Sequence, residues 1–208
     1  MRQQEVSGRQ VTVVDTPAWR SDFPLDLTPK LTQLEIQQSV YLCPQGPDAF
    51  VLVMPLDVPY VGTDQSAEEH VSLLLSDRVW KHTIVVFTVA DQTKMRPDLI
   101  RSNYQLRYLT DKCEGGFHVV NISDRGDGSQ VTQLIEKIDQ MVTSNGGHYE
   151  TEEHVSEELK EKERTISRRA EQRRADALKQ PTGLPKDTGM FCFTVENNIY
   201  IHVCLSVS

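Results

Sequence analysis

The fold of this 208-residue chain is decided by one stretch near its start, Gln10-Val-Thr-Val-Val-Asp-Thr-Pro-Ala18. Four strand-favouring residues lead into Asp15 and a Thr-Pro turn follows at once, which is typical of a buried strand in a parallel α/β sheet. Such a sheet holds its ligands at the carboxyl ends of its strands, so Asp15 is predicted to lie at a crevice. An Asp in this position can hold Mg²⁺, usually through water, while backbone N–H groups of the turn face a phosphate.

Three more apolar runs alternate with helical patterns over the first 150 residues. Residues 49–54, 83–89 and 117–122 each predict a buried strand. Apolar positions at helical spacing predict helices at residues 28–42, 66–75, 97–112 and 130–142. Strands that alternate with helices form a parallel sheet that is covered on both faces. The expected fold is therefore α/β, with three layers and a mostly parallel sheet.

The composition changes after Gly147. Residues 152–179 are mostly Glu, Lys, Arg, Ala and Gln, acidic first and then basic, an order that complements a helix dipole. We expect three parts: an α/β domain at 1–150, a charged helical extension at 151–180, and a linker with an apolar tail at 181–208. The tail is interrupted by Glu196-Asn-Asn198, so both a hairpin and an unstructured end stay open.

Charge and cysteine spacing exclude several functions. A net charge of −8 argues against nucleic-acid binding, and the four cysteines lack the spacing of a zinc site. The sequence has no apolar run of 18 residues, so we predict no transmembrane helix. It has no G-x-S-x-G nucleophile motif, and we predict no catalytic residue. These features favour a cytoplasmic protein. The basic residues 164–179 leave peripheral contact with an anionic membrane open, although a solvated helix is favoured.

Polar residues follow three of the predicted strands in the order that a guanine-nucleotide site requires. Asp15 follows the first strand, Asp91 follows the third within Thr88-Val-Ala-Asp91, and Asn121 ends the fourth. A carboxylate can accept two hydrogen bonds from guanine, at N1–H and the exocyclic amine, whereas adenine would leave it unpaired. Each residue alone is also explained as a polar cap of its strand, but together they predict a base site.

These motifs resemble the GTPase of immunity-associated proteins family, a septin-related branch of the P-loop GTPases. The resemblance covers residues 9–150, and its most diagnostic segment is the one that begins at Gly46. The matching segments are Val13-Val-Asp-Thr-Pro17, Gly46-Pro-Asp-Ala-Phe-Val-Leu-Val-Met-Pro-Leu56, His82-Thr-Ile-Val-Val-Phe-Thr88, Lys112-Cys, Phe117-His-Val-Val-Asn121, Gln130-Val-Thr-Gln-Leu-Ile-Glu-Lys-Ile138 and Asn145-Gly-Gly147.

The resemblance implies a cytosolic domain that binds GTP or GDP with Mg²⁺. It also implies a homo-oligomer that forms through the nucleotide face, often on membranes. Asp15 would be the Mg²⁺-linked Asp of the third GTPase motif, and Ala18 stands where many GTPases have Gly. Thr88 and Asp91 would belong to the base-reading fourth motif, and Asn121 to the fifth.

The printed sequence contains no phosphate loop of the form G-x-x-x-x-G-K-[ST], and the first switch is also missing. In the family, the strand that leads into this loop lies at the sheet centre, between the strands predicted at 11–14 and 49–54. Residues 1–9 are too polar to replace it, so the sheet is expected to be incomplete at its N-terminal side. We expect either a gap or a direct pairing of those two strands, and a truncated gene model or an isoform without an upstream exon.

Two functions follow from this pattern. The first is a GTP-binding protein of the family in which guanine alone, at roughly −0.3 kcal/mol per heavy atom, gives millimolar affinity or weaker. The alternative is a nucleotide-free pseudo-GTPase that acts as a protein-interaction module. Trp19 and Phe23 would lie on its second switch, either exposed for a partner or partly buried. We interpret His70, His82 and His118 as structural histidines.

Overall fold

A computed structural model of the chain describes residues 1–6, 8–43, 45–56, 63–90, 93, 97–124, 126, 128–150, 168 and, as backbone, 198–207. The chain divides into two compact units, Met1–Glu150 with Phe191–Ser208 and Thr151–Met190. The elements below belong to the first unit. The charged helix predicted at 152–179 lies outside the described residues except for Arg168, which is helical.

Seven strands form the sheet in the order β1-β2-β7-β4-β5-β6, and β3 pairs with β7. The strands are β1 Arg2–Val6, β2 Arg9–Asp15, β3 Trp19–Arg20, β4 Ala49–Pro55, β5 Thr83–Val89, β6 Phe117–Asn121 and β7 Asn198–Val207. The helices are α1 Lys30–Ser39, α2 Thr63–Leu75, α3 Pro97–Ser102, α4 Tyr104–Lys112 and α5 Ser129–Asn145, and short 3-10 helices span Leu25–Leu27, Val40–Leu42 and Asp77–His82.

Helices cover both faces of the sheet, as the alternating pattern predicted. Side chains alternate between the two faces of a strand, so Phe50 and Leu52 of β4 serve different layers from Val51 and Val53. On one face, β4 and β5 pack against buried residues of α1, α2, α3 and α4. On the other face they pack against α5, through residues such as Ile135. The three-layer α/β expectation is therefore confirmed.

The centre of the sheet differs from both expected arrangements. β4, β5 and β6 are parallel, but the place between β2 and β4 is filled by β7, which is antiparallel to both. There is thus neither a gap nor a direct pairing of β2 with β4. β7 comes from the apolar tail, and its run Ile199–Val203 is rich in β-branched and aromatic residues, which suits a central strand.

The first residues form only an edge strand. β1 pairs antiparallel with β2 and its side chains are exposed or half-buried. Arg2 and Glu5 suit an edge, where charge discourages pairing with another sheet. The prediction that residues 1–9 would not replace a buried strand therefore agrees with their position.

The helix predicted at 97–112 is in fact two helices. α3 ends at Ser102 and α4 begins at Tyr104, with Asn103 between them in an extended conformation. The side chain of Asn103 accepts hydrogen bonds from the backbone N–H groups of Gln105 at 3.0 Å and Leu106 at 3.1 Å. Asn is a strong N-cap residue because it satisfies N–H groups that have no partner within the helix. This cap starts a new helix inside the apolar pattern.

The diagnostic segment that begins at Gly46 has a structural role at the amino end of β4. Gly46 has φ +88°, and a Cβ there would overlap with the backbone oxygen of Tyr149. The Tyr149 N–H donates to the Pro47 oxygen at 2.9 Å, and its hydroxyl donates to the Leu75 oxygen at 2.8 Å. The Tyr149 ring packs edge-on against Phe50. Gly46 therefore lets the chain after α5 dock against the entry of β4.

Candidate nucleotide-base site at the carboxyl edge of the sheet

Two of the predicted site residues lie on adjacent strands at the carboxyl edge. Thr88 of β5 and Asn121 of β6 are both buried, at 3% and 6% exposure. The register pairs Thr88 with Val120 and Val89 with Asn121, so the two residues are one step apart across neighbouring parallel strands. The chain leaves β4 at the same edge, where the Leu56 N–H donates to the Thr88 oxygen at 2.8 Å. Side chains alternate along a strand, so Thr88 lies on the face of Val86 and Asn121 lies on the opposite face, that of Val119. The single crevice expected for the three polar strand ends stays a prediction.

Asn121 organises the turn that follows β6. Its side-chain oxygen accepts from the Ser123 N–H at 3.0 Å, an Asx turn. Its backbone N–H donates to Oε1 of Gln130 at 2.8 Å, and Nε2 of Gln130 donates to the Asn121 backbone oxygen at 3.4 Å. Gln130 lies in the first turn of α5, so the strand end and the helix start are held together. Asn121 therefore has an observed structural role besides its expected role toward a base.

The segment that leads to Asp91 is fixed at Ala90. The Ser123 hydroxyl donates to the Ala90 oxygen at 2.7 Å, and the Ile122 N–H donates to the Val89 oxygen at 2.9 Å. These bonds join the ends of β5 and β6. Asp91 itself lies outside the described residues, so its base-reading role stays a prediction.

Asp15 ends β2 and is exposed, but the register places it away from Thr88. Asp15 is paired in register with His202 of β7, and His202 is paired with Val51 of β4. Val51 is paired in turn with Ile84 of β5. Thr88 lies four residues beyond Ile84 and three strands from β2, a separation of about 20 Å. A ligand that touched both residues would have to extend along the edge of the sheet. Thr88 and Asn121 thus end adjacent strands, and Asp15 lies away from both.

The phosphate side offers few ligands among the described residues. Ala18 is half-buried in the connection between β2 and β3. Within the described ranges, no group of three or more His, Cys, Asp or Glu side chains is placed to hold a metal ion. At this edge the sheet presents the amino end of β7, where Asn198 pairs with Arg20 and Ile199 with Trp19. Asp15 as an Mg²⁺ ligand thus stays a prediction that rests on the resemblance.

The second-switch segment, residues 16–28, is packed onto α2. Trp19 is buried, and its ring stacks on His70 of α2 with 4.6 Å between ring centroids and 7° between planes. Phe23 is half-buried under the guanidinium of Arg20, 4.6 Å from its ring centroid. Of the two arrangements left open by the sequence, the buried one holds for Trp19. The Trp19 ring N–H has no hydrogen-bond partner within the described part of the chain.

Three polar contacts fasten this segment to α2. The Ser66 hydroxyl donates to the Phe23 oxygen at 2.7 Å, and the Leu25 N–H donates to the Glu69 carboxylate at 3.0 Å. Nδ1 of His70 lies 2.7 Å from the Ser66 oxygen and Nε2 lies 2.7 Å from the Thr28 hydroxyl. A carbonyl can only accept, so Nδ1 carries the proton and Nε2 accepts from Thr28 in the neutral ring. The segment is therefore anchored at Phe23, Leu25 and Thr28.

Burial explains the chemistry of the three histidines. It lowers the pKa of His70, although the nearby Glu69 opposes the shift. Burial also lowers the pKa of His82, and of His118, whose Nε2 donates to the Gln130 oxygen at 3.0 Å. His82 packs edge-on against Tyr149. These contacts support the structural role that the sequence predicted for all three.

A cavity of about 650 Å³ lies at the other end of the strands, beside the turn that enters β6. Arg101, Glu114, Phe117 and Lys137 contribute to its wall, and no predicted site residue does. Lys137 donates to the Phe117 oxygen at 2.9 Å. This cavity is therefore separate from the candidate base site.

The sequence predicted a structural role for His70 but not the contacts between α2 and the second-switch segment. Ser66, Glu69 and His70 recur at helical spacing, which places them on one face of α2. That spacing was a usable signal for a polar contact surface. Their partners on residues 23–28 follow only from the fold.

The parallel strands β4, β5 and β6, with helices on both faces of the sheet, give a GTPase-like α/β domain. A family model described as the AIG1 family matches residues 1–170, and the chain belongs to that family. The human protein GTPase IMAP family member 8 is 27% identical over 146 residues, which cover 68% of this chain and 21% of that protein. The chain thus spans about a fifth of this relative's length. Among the described residues, no helix is long and apolar enough to cross a membrane.

Proposed function

We propose that this chain is a guanine-nucleotide-binding domain that contacts the base and holds the phosphates only weakly. The observation that supports the base half is the junction of β5 and β6 at the carboxyl edge, where the Ser123 hydroxyl donates to the Ala90 oxygen beside the buried Asn121. Asp91 follows directly after Ala90, whose oxygen is tied to Ser123. A carboxylate at that position would select guanine over adenine by accepting two hydrogen bonds.

The direction of β7 supports weak phosphate binding. Phosphate is held by N–H groups that follow the carboxyl end of a strand and open a helix. β7 is antiparallel to β4 and so presents its amino end, Asn198, at that edge. Guanine without phosphate contacts contributes about −3 to −4 kcal/mol, which corresponds to millimolar affinity. The cofactor of this proposal is GTP or GDP with Mg²⁺, with Asp15 on the metal side.

A second function, a nucleotide-free interaction module, is favoured by the second-switch segment. That segment is fastened to α2 by the protein's own Ser66, Glu69 and His70. Leu27 is 59% exposed and Leu73 is 67% exposed, and each lies close in sequence to the Leu25–Glu69 contact. Exposed leucines beside a rigid segment suit contact with a protein, including another copy of this chain or a membrane-bound partner.

Titration with GTP and Mg²⁺, followed by ligand-detected NMR, separates the two functions. The base-site proposal predicts millimolar GTP binding, weaker binding of ATP, and a preference for xanthosine over guanosine triphosphate in Asp91→Asn. The matched control Asp124→Asn, at an exposed position after β6, should behave as the wild type. Equal affinities for ATP and GTP would remove Asp91 from the base-reading role. No binding of either nucleotide would leave the interaction module, and micromolar binding would contradict weak phosphate contacts.

A further inference from the structure

β7 occupies a slot whose two walls do not pair with each other. It forms antiparallel ladders with β2, from Gln10 to Asp15, and with β4, from Ala49 to Val53. Both walls are thus strand edges that depend on β7 for their backbone hydrogen bonds. Without an occupant, buried N–H and C=O groups would lose their partners at about 1–3 kcal/mol each. The slot therefore requires an extended segment at all times.

The segment that fills this slot is joined to the rest of the sheet by a long stretch of chain. Helix α5 ends at Asn145, and β7 begins at Asn198. By chain length alone, residues 151–197 could reach about 70 Å at the rise of a helix. A domain of this size is about 40 Å across. The length therefore allows β7 to enter the slot of a neighbouring molecule as well as its own.

We propose that the slot between β2 and β4 is a strand-exchange site whose partner is β7 of a second copy of this chain. An exchanged β7 would make the same ladders with β2 and β4, so each molecule loses no contact and gains none. Mutual exchange closes a two-fold dimer. The balance between monomers that hold their own β7 and dimers that exchange it then depends on protein concentration, because mass action favours the dimer as the concentration rises. This contact is distinct from oligomerisation through the nucleotide face.

A disulfide trap can report whose β7 occupies the slot. Val13 of β2 is paired in register with Cys204 of β7, and an antiparallel pair has a Cα separation of about 4.5–5.5 Å, within disulfide range. In Val13→Cys, oxidation should give an intrachain crosslink when β7 is the molecule's own. It should give a covalent dimer when β7 is exchanged. While the dimer is the minor form, tenfold more protein should raise its fraction about tenfold.

The control variant carries Val13→Cys together with Cys204→Ser and should form neither product. Intrachain crosslinks alone at every concentration would overturn the proposal, as would dimers that persist in the control. The unmodified sequence gives a second test that does not depend on the variant. Tagged and untagged copies, mixed and followed by native mass spectrometry, should form hybrids no faster than the backbone amides of β7 exchange with solvent. Absent hybrids, or hybrids that form faster than this, would contradict strand exchange.

Discussion

At the scale of single residues, Gly46 shows why a family-diagnostic segment has its composition. The residue adopts φ +88°, which side chains rarely tolerate, and the Tyr149 carbonyl fills the space where a Cβ would project. Tyr149 in turn bonds to Pro47 and Leu75, which ties the end of α5 to the starts of β4 and of the turn after α2. The sequence marked this segment as diagnostic without giving its reason, because the contact joins residues a hundred positions apart.

Gly46→Ala should therefore lower the free energy of unfolding by about 3 kcal/mol or more, from the positive φ and the overlap together. Urea unfolding followed by circular dichroism measures this. Gly8→Ala is the matched control, because Gly8 also has a positive φ, +78°, but has open space around its Cβ position. It should cost about 1–2 kcal/mol. Equal losses for the two variants would show that the Tyr149 contact is not what requires glycine at position 46.

At the scale of elements, local patterns predicted the strands and helices but not their partners. Apolar runs placed β4 and β5 to within a residue because buried parallel strands are continuously apolar. The break at Asn103 was missed because the apolar spacing continues through it, although Asn is a known helix cap. The offset of Asp15 from Thr88 depends on the register of β2, β7 and β4, which no local pattern encodes.

The second-switch segment gives the pH prediction at this scale. The folded pKa of His70 is lowered by burial, so the unfolded chain binds its proton more readily. The stability that His70 contributes is complete above its unfolded pKa of about 6.5 and is lost as the pH falls through the folded pKa. His82 and His118 have the same sign. The free energy of unfolding should therefore fall between pH 7.5 and 5.5.

Urea unfolding at a series of pH values measures this fall. His70→Gln should reduce the slope, because one group that gains a proton on unfolding has been removed. A slope in His70→Gln equal to that of the wild type would show that His70 is not a source of the pH dependence.

At the scale of the whole molecule, the apolar tail supplies a central strand of the sheet. A missing central strand would leave backbone groups of β2 and β4 unpaired, and several such groups would consume a typical stability of about 5–15 kcal/mol. β7 removes that cost by pairing with both neighbours. The sequence held the signal for a strand at residues 199–203, but not its position, because pairing across nearly the whole chain is not a local property.

Amide hydrogen exchange of β7 in the intact chain tests its central position most directly. Residues 202–204 pair on both sides, so their amides should exchange as slowly as those of residues 85–87 in β5, through global unfolding. Mass spectrometry of peptides that cover the two strands gives the comparison within one sample. Comparable protection is the predicted result. Exchange of residues 202–204 as fast as in an unstructured peptide, with β5 still protected, would contradict a central position of β7 in the sheet.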